Sequence, residues 1–184
     1  AHNAKKDPYE YRRALLKDSP RALGVLDAVA EKSGWKNKLP AGKGRGIAIS
    51  HSFGSYVAEV AEVSSNNNGQ FTVDKVTCVV DCGLYINPAI VKRQMQSAII
   101  YGLTATLHGK INFVDGRVKE SNFHDYPALT LAETPLIDVH ILESDEKPGG
   151  YGEPGTPPIA PAVANAVFAA SGQRHYTLPL KQST

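Results

Sequence analysis

The feature that most restricts the fold is a pair of long segments, 46–63 and 70–81, rich in β-branched residues and separated by Asn-Asn-Asn-Gly at 66–69. Along the first segment apolar residues alternate in part with other residues, which is the period of a β-strand. Asn-Gly between two such segments is a strong turn signal. The sequence therefore predicts a long antiparallel hairpin whose first strand, 46–63, is continuous and kinked near Gly54.

Helical patterns surround this hairpin. Asp-Pro at 7–8 and Ser-Pro at 19–20 each place a capping residue before a proline, which predicts helices over 7–17 and 20–33. Apolar residues at helical spacing predict two more helices, 88–108 and 157–170, and the pattern also predicts a short hairpin and a strand, at 110–119 and 135–143. Antiparallel hairpins packed with helices give an α+β class. The length of 184 residues suits a single domain or a domain fragment spanning 1–184.

The last predicted helix, 157–170, is apolar or small almost all round. A helix of that kind is buried on most sides, which indicates further protein around it. Gly172 is predicted to end it.

Charge and cysteine content argue against several classes. Twenty basic and 18 acidic residues leave a net charge of +2 without a long basic run, so nothing favours nucleic-acid binding. No apolar stretch is long enough to span a membrane. Cys78 and Cys82 would lie about 13 Å apart along an extended strand, too far for a disulfide, and we predict two free, buried thiols. The six histidines lack the spacing of a metal site, so no metal ligand is assigned.

The best candidate for chemistry is the loop Gly-Gly-Tyr-Gly-Glu-Pro-Gly-Thr-Pro-Pro at 149–158. It sets one carboxylate, Glu153, among glycines and prolines directly before a predicted helix. Pro154 favours an extended Glu153, and we predict Thr156 as the N-cap with Pro157 as the first helical residue. A carboxylate held on such a loop is a candidate general base. The alternative is a solvated carboxylate on a surface loop.

A second motif, Asp-Cys-Gly-Leu-Tyr-Ile-Asn-Pro at 81–88, comes earlier and is followed by Gln94 and by Gly-Leu at 102–103. The two motifs in this order, with Lys-Asp-Pro-Tyr-Glu-Tyr-Arg-Arg at 6–13, resemble the C-terminal part of the molybdopterin-binding subunit of the xanthine dehydrogenase/aldehyde oxidase family. Within that family the resemblance is to the branch of the isoquinoline 1-oxidoreductase large subunit. It extends over nearly the whole chain.

This resemblance implies roles for five residues. Glu153 matches the catalytic glutamate of the family, a general base in the oxidation of an N-heterocycle or aldehyde with water-derived oxygen. Gln94 matches a glutamine that contacts the pterin, and Gly150, Tyr151 and Gly152 match the backbone stretch beside the molybdenum. The helix that follows would offer backbone N–H groups and a partial positive charge to the anionic cofactor.

The resemblance also implies cofactors and partners. The cofactor is molybdopterin cytosine dinucleotide, and electrons leave through iron–sulfur clusters on a small partner subunit. The other partners are the remainder of the molybdopterin subunit and a small-molecule substrate. Since a subunit of this family is several times longer than this chain, the isolated chain is expected to be inactive. The alternative is a non-catalytic structural or assembly module of the same fold without cofactor. A periplasmic and a cytoplasmic location in a bacterium both stay open.

Overall fold

The structure, a computed structural model, describes residues 1–66 and 70–180. A sheet with the strand order β1–β2–β3–β6 forms its centre, made of β1 Lys43–Ser52, β2 Ser55–Ser65, β3 Phe71–Asp81 and β6 Leu136–Ile141. The helices are α1 Pro8–Leu15, α2 Pro20–Lys32, α3 Pro88–Leu107 and α4 Thr156–Ser171. The predicted short hairpin is present as β4 Phe113–Val114 and β5 Arg117–Val118. The predicted α+β class is confirmed.

The prediction of one continuous strand over 46–63 is wrong. The chain reverses at Phe53-Gly54, so that β1 and β2 form an antiparallel hairpin in which Ser52 pairs with Ser55. Both turn residues have positive φ, 56° at Phe53 and 78° at Gly54. A type I′ turn requires positive φ at both positions, and its twist matches that of the flanking strands. The predicted pairing of β2 with β3 is confirmed, while the turn signal at 66–69 falls mostly outside the described residues.

β6 joins the edge of β3 in parallel, from Lys75 opposite Leu136 to Val80 opposite Ile141. A parallel neighbour needs a crossover connection, and α3 with the segment 108–135 provides it. The ends of β3 and β6 therefore lie at one edge of the sheet. The β1–β2 turn lies at the same edge, since Tyr56 pairs with Asp81. The segments that carry both sequence motifs start from this edge.

Helices cover both faces of the sheet. On the face toward α2 the core is built from residues of α2, β1, β2 and β3, namely Val25, Leu26, Val29, Ile47, Ala58, Val60 and Val79. On the opposite face, toward α3 and α4, the larger cluster includes Val57, Ala61, Val76, Met95, Ile99, Leu103, Ile159, Ala162 and Ala166. Because both faces are covered, β2 and β3 are largely apolar on both sides rather than alternating.

α4 packs directly on β1 because Gly44 and Gly46 have no side chains. A Cβ added to Gly46 would lie 2.7 Å from the carbonyl carbon of Asn165, and closer still to the carbonyl oxygen of Ala162. The amide of Asn165 also donates to the carbonyl oxygen of Ile47 at 3.3 Å. Strand and helix thus meet backbone to backbone, which fixes how closely the middle of α4 lies on the sheet.

The N-cap predicted at Asp7 is present, the one predicted at Ser19 is not, and Asn87 is a cap that was not predicted. The Asp7 carboxylate accepts hydrogen bonds from the first backbone N–H groups of α1. The Asn87 side chain does the same for α3. Ser19 precedes α2, but its side chain makes no capping hydrogen bond.

The start of α4 differs from the prediction. Thr156 is the first helical residue, and the N-cap is Gly155. The physical reason is a competing partner, because the Thr156 hydroxyl donates to the carbonyl oxygen of Ala98 in α3 at 3.2 Å. Gly172 ends the helix as predicted, with φ 75°.

Cys78 and Cys82 are free and buried, as predicted. Among the described residues, none of the helices combines the length and apolar character needed to cross a membrane. α4 is buried toward the sheet and toward α3, while Pro157, Pro161 and Ala169 are exposed.

Candidate functional site

The turn after β3 and the loop before α4 lie against each other, although about 65 residues separate them in the sequence. The N–H of Leu84 donates to the carbonyl oxygen of Glu146 at 2.9 Å, and the N–H of Gly149 donates to that of Cys82 at 2.8 Å. Gly83 has φ 68°, and a Cβ on it would lie 2.7 Å from the Glu146 carbonyl oxygen. A side chain is therefore excluded at position 83. The structure joins the two motifs of the sequence into one surface.

The β1–β2 turn holds the same loop from the other side. The N–H of Gly150 donates to the carbonyl oxygen of Phe53 at 2.7 Å, and the hydroxyl of Ser55 donates to the carbonyl oxygen of Gly150 at 2.8 Å. Both backbone polar groups of Gly150 are thus used inside the chain. Gly150 fixes the loop, and its N–H group is not available to a ligand.

An ion pair anchors the turn after β3. Arg21 of α2 donates to both carboxylate oxygens of Asp81, at 2.8 and 2.9 Å, and Asp81 also accepts the N–H of Gly83 at 3.0 Å. Burial alone would raise the pKa of Asp81, but the hydrogen bonds from Arg21 and Gly83 outweigh it and lower that pKa. A bidentate guanidinium–carboxylate pair is geometrically specific, so it fixes the direction in which the turn leaves the sheet.

Glu153 lies at the exposed end of the loop. Its side chain is exposed, and its carbonyl oxygen accepts the N–H of Thr156 at 2.9 Å in the turn that leads into α4. A Cβ added to the exposed Gly152 would meet no atom within 4 Å. The ring of Tyr151 is half-buried and packs against the larger core cluster. The loop therefore has a fixed inner side at Tyr151 and an open outer side at Gly152 and Glu153.

α3 runs beside the start of α4 through small residues. A Cβ on Gly102 would lie 3.1 Å from the carbonyl oxygen of Thr156, and the Cβ position of Gly155 is 3.4 Å from the carbonyl oxygen of Met95. The absence of a side chain at Gly102 therefore permits the close approach of the two helices. Gln94 directly precedes Met95 and is exposed. Gln94 is thus one residue away from the carbonyl group that lies against Gly155, which itself follows Glu153 by two residues.

The start of α4 offers fewer backbone N–H donors than the sequence predicts. Pro157 and Pro158 have no N–H group, and the N–H of Thr156 is used by the carbonyl oxygen of Glu153. A bulky anionic cofactor would therefore meet the dipole of the helix with few of its N–H groups. The residues present fit such a cofactor through the open side of the loop at Gly152 and through the exposed Gln94 and Glu153.

Away from this surface there is a cleft but, among the described residues, no metal site. Within residues 1–66 and 70–180 no three His, Cys, Asp or Glu side chains are grouped so as to hold a metal ion directly. A cleft of about 420 Å³ lined by residues that include Tyr9, Asp27 and Trp35 lies between α1 and α2. It borders neither Gln94 nor Glu153.

Sequence reasoning misses two contributors to the site. Ser55 and the Phe53-Gly54 turn hold the loop. A residue followed by glycine within an otherwise strand-like segment is the sequence signal that indicates such a turn. Glu59 of β2 is fully buried and its Oε1 lies 3.5 Å from the Cβ position of Gly155. Nothing in the local pattern indicates that contact.

Comparisons with known proteins identify the family of the chain. Residues 22–135, more than half of the chain, match the family described as molybdopterin cofactor-binding domain. The beta chain of isoquinoline 1-oxidoreductase from Brevundimonas diminuta is 38% identical over 98% of this chain and 24% of its own length. A nicotinate dehydrogenase chain from Pseudomonas putida is 35% identical over 95% of this chain and 16% of its own length.

A solved structure is similar as well. The aldehyde oxidoreductase from Desulfovibrio desulfuricans matches with a TM-score of 0.59 and 27% identity, over 69% of this chain and 14% of that chain. The chain thus spans a quarter or less of the length of these relatives. The resemblance drawn from the two motifs is confirmed, and the chain belongs to the molybdopterin cofactor-binding domain family.

Proposed function

We propose that this chain is the part of a molybdenum hydroxylase that supplies the general base, Glu153, to an active site completed by the remainder of the subunit. The observation that carries the proposal is the junction of the turn at 82–84 with the loop at 146–150, beyond which Glu153 is exposed beside the open side of Gly152. The substrate class is an N-heterocycle or an aldehyde. The names of the isoquinoline, nicotinate and aldehyde relatives support this class.

The cofactor, molybdopterin cytosine dinucleotide in this proposal, supplies the two-electron redox chemistry when bound. An Oε atom of Glu153 accepts the proton of the water-derived oxygen that attacks the substrate carbon. The missing side chain of Gly152 leaves room for the cofactor. The Gln94 amide, which can both donate and accept, would hydrogen-bond to the pterin. Gly150 and Tyr151 keep this part of the loop beside the cofactor.

The remainder of the molybdopterin subunit is the first partner that we propose. The chain spans 24% of the isoquinoline relative, and exposed apolar side chains on and before α3 fit a covering domain: Ile86 is 99% exposed and Tyr101 is 69% exposed. A small subunit with iron–sulfur clusters is the second partner, and it takes the electrons. The isolated chain is therefore inactive in this proposal, because it lacks most of the cofactor and substrate contacts.

The test is Glu153→Gln in the complete enzyme, with isoquinoline, nicotinate and an aliphatic aldehyde as probe substrates. Turnover should fall by roughly 10²- to 10⁴-fold, the usual contribution of a general base, while molybdenum content stays at the wild-type level. Glu146→Gln is the matched control, since Glu146 is an exposed glutamate of the same loop region, and it should keep full turnover. Full turnover in Glu153→Gln would refute the general-base role. A wild-type enzyme without molybdenum or turnover would favour the alternative, a non-catalytic module.

A further inference from the structure

Glu59, in the middle of β2, is an unusual residue for a strand covered on both faces. Its side chain is fully buried, and neither carboxyl oxygen has a hydrogen-bond partner of normal geometry among the described residues. The weak thiol donor of Cys78 is its polar neighbour. A buried polar group without partners lowers stability. A role other than stabilisation would explain its presence.

The carboxyl of Glu59 points at the loop that carries Glu153. Its Oε1 lies 3.5 Å from the Cβ position of Gly155, and the Cβ of Ala98 lies 3.3 Å from the same position. The Cβ side of Gly155 therefore faces both β2 and α3, which leaves little room for a side chain there. Gly155 follows Glu153 by two residues, so its location restricts where Glu153 can lie.

Ser55 shows that β2 supports this loop at a second point. Ser55 and Glu59 are four residues apart on one strand, so they face the same side of the sheet. Ser55 binds the carbonyl oxygen of Gly150 at 2.8 Å, and Glu59 contacts the position of Gly155. The segment with Glu153 is thus supported from β2 both before and after the glutamate.

The chemistry of Glu59 fits a supporting rather than a reacting group. Burial raises the pKa of the Glu59 carboxyl well above its ordinary value, and burial likewise raises the pKa of the Cys78 thiol. Both side chains are therefore favoured in their neutral forms. A neutral acid keeps the length and shape of glutamate without placing a charge beneath the loop.

We propose that Glu59 is a positioning residue for Glu153, acting through Gly155. The carboxyl of Glu59 fills the space between β2 and the start of α4, and this contact sets the location of the loop. The inference rests on the proposed function, because it concerns the general base assigned there. It adds a residue that does not touch substrate or cofactor.

The experiment compares Glu59→Leu, Glu59→Gln and Thr77→Val in the complete enzyme. Leucine removes the unpartnered polar group, so stability is not lowered, but its side chain ends one atom short of the carboxyl oxygens. Glutamine keeps the length and neutrality of the protonated acid. Thr77 is the matched control, because it is also fully buried with an unpartnered hydroxyl, and it pairs with Val60 on the face toward α2.

Hydrogen exchange measures the loop itself, with or without bound cofactor. In Glu59→Leu the amides of 149–159 should exchange about fivefold faster or more, since a loop that loses its contact opens more readily. With isoquinoline as probe, kcat should fall about tenfold or more at nearly constant KM, as misplacement of a catalytic group costs rate rather than binding. Glu59→Gln should keep both the exchange rates at 149–159 and kcat at their wild-type values, and Thr77→Val should change neither.

Wild-type exchange at 149–159 in Glu59→Leu would overturn the inference. Faster exchange spread over β2 and β3, with a lowered melting temperature, would assign Glu59 a structural role and would also overturn it. Full turnover in Glu153→Gln would instead sink the proposed general base, while the exchange data would still decide whether Glu59 holds the loop.

Discussion

Gly46→Ala tests whether α4 packs on β1 by direct backbone contact. The added methyl group would lie 2.7 Å from the carbonyl carbon of Asn165, against 3.4 Å for the closest ordinary contact, so at least 3.4 − 2.7 = 0.7 Å must be gained. The obstructing atoms belong to the helix backbone and cannot rotate away. α4 must therefore move as a unit, and overpacking of this kind costs about 3 kcal/mol or more.

The assay is thermal and urea unfolding of the purified protein. A loss of about 3 kcal/mol should lower the melting temperature by roughly 6–12 °C for a chain of this size. Gly24→Ala is the control: its Cβ would lie 3.1 Å from a methyl group of the Leu142 side chain, which can adjust, and alanine favours helix by about 1 kcal/mol. It should leave stability unchanged or raise it. A Gly46→Ala protein as stable as wild type would refute the backbone contact between β1 and α4.

Three further predictions concern the site. Asp81→Asn should lower the free energy of unfolding by about 2–3 kcal/mol at pH 7. Because folding lowers the pKa of the Asp81 carboxyl, the stability that it contributes is present above its unfolded-state pKa and is lost as pH falls through its folded-state pKa. Urea unfolding should therefore show the variant and the wild type converging at low pH, and an equal difference at all pH values would contradict the pairing with Arg21. Gly152→Ala should keep the melting temperature, since its Cβ meets nothing within 4 Å, yet lower molybdenum content in the complete enzyme; unchanged content would mean that no cofactor lies there. Gln94→Ala, at an exposed position, should reduce molybdenum retention without affecting unfolding, and normal retention would refute the pterin contact.

Local signals predict most of the helices. Asp7 caps α1 through the side-chain oxygen that the sequence pattern suggests. The pairing of β2 with β3 can likewise be predicted from the sequence, because alternation and a turn signal are properties of neighbouring residues. The resemblance rests on motifs that are likewise contiguous in the sequence.

Two kinds of feature escape prediction: a turn hidden inside a strand-like segment, and features that depend on distant contacts. The reversal at Phe53-Gly54 resembles a kink in the sequence, because a two-residue turn inside a strand-like segment hardly interrupts the pattern. The parallel partner β6 depends on a crossover that no local residue encodes. Thr156 carries the residue type of an N-cap but donates its hydroxyl to α3 instead. The role of Glu59 depends on Gly155, which lies 96 residues later in the sequence.

The most direct test of the general-base role is a single-turnover measurement in the complete enzyme. Reduction of the molybdenum centre by excess isoquinoline, or by another probe that the enzyme oxidises, is followed by stopped-flow absorbance in wild type, Glu153→Gln and Glu146→Gln. We predict that the rate constant falls by roughly 10²-fold or more only in Glu153→Gln, because a single step loses its base. A Glu153→Gln enzyme that is reduced as fast as wild type, at equal molybdenum content, would contradict the role of Glu153.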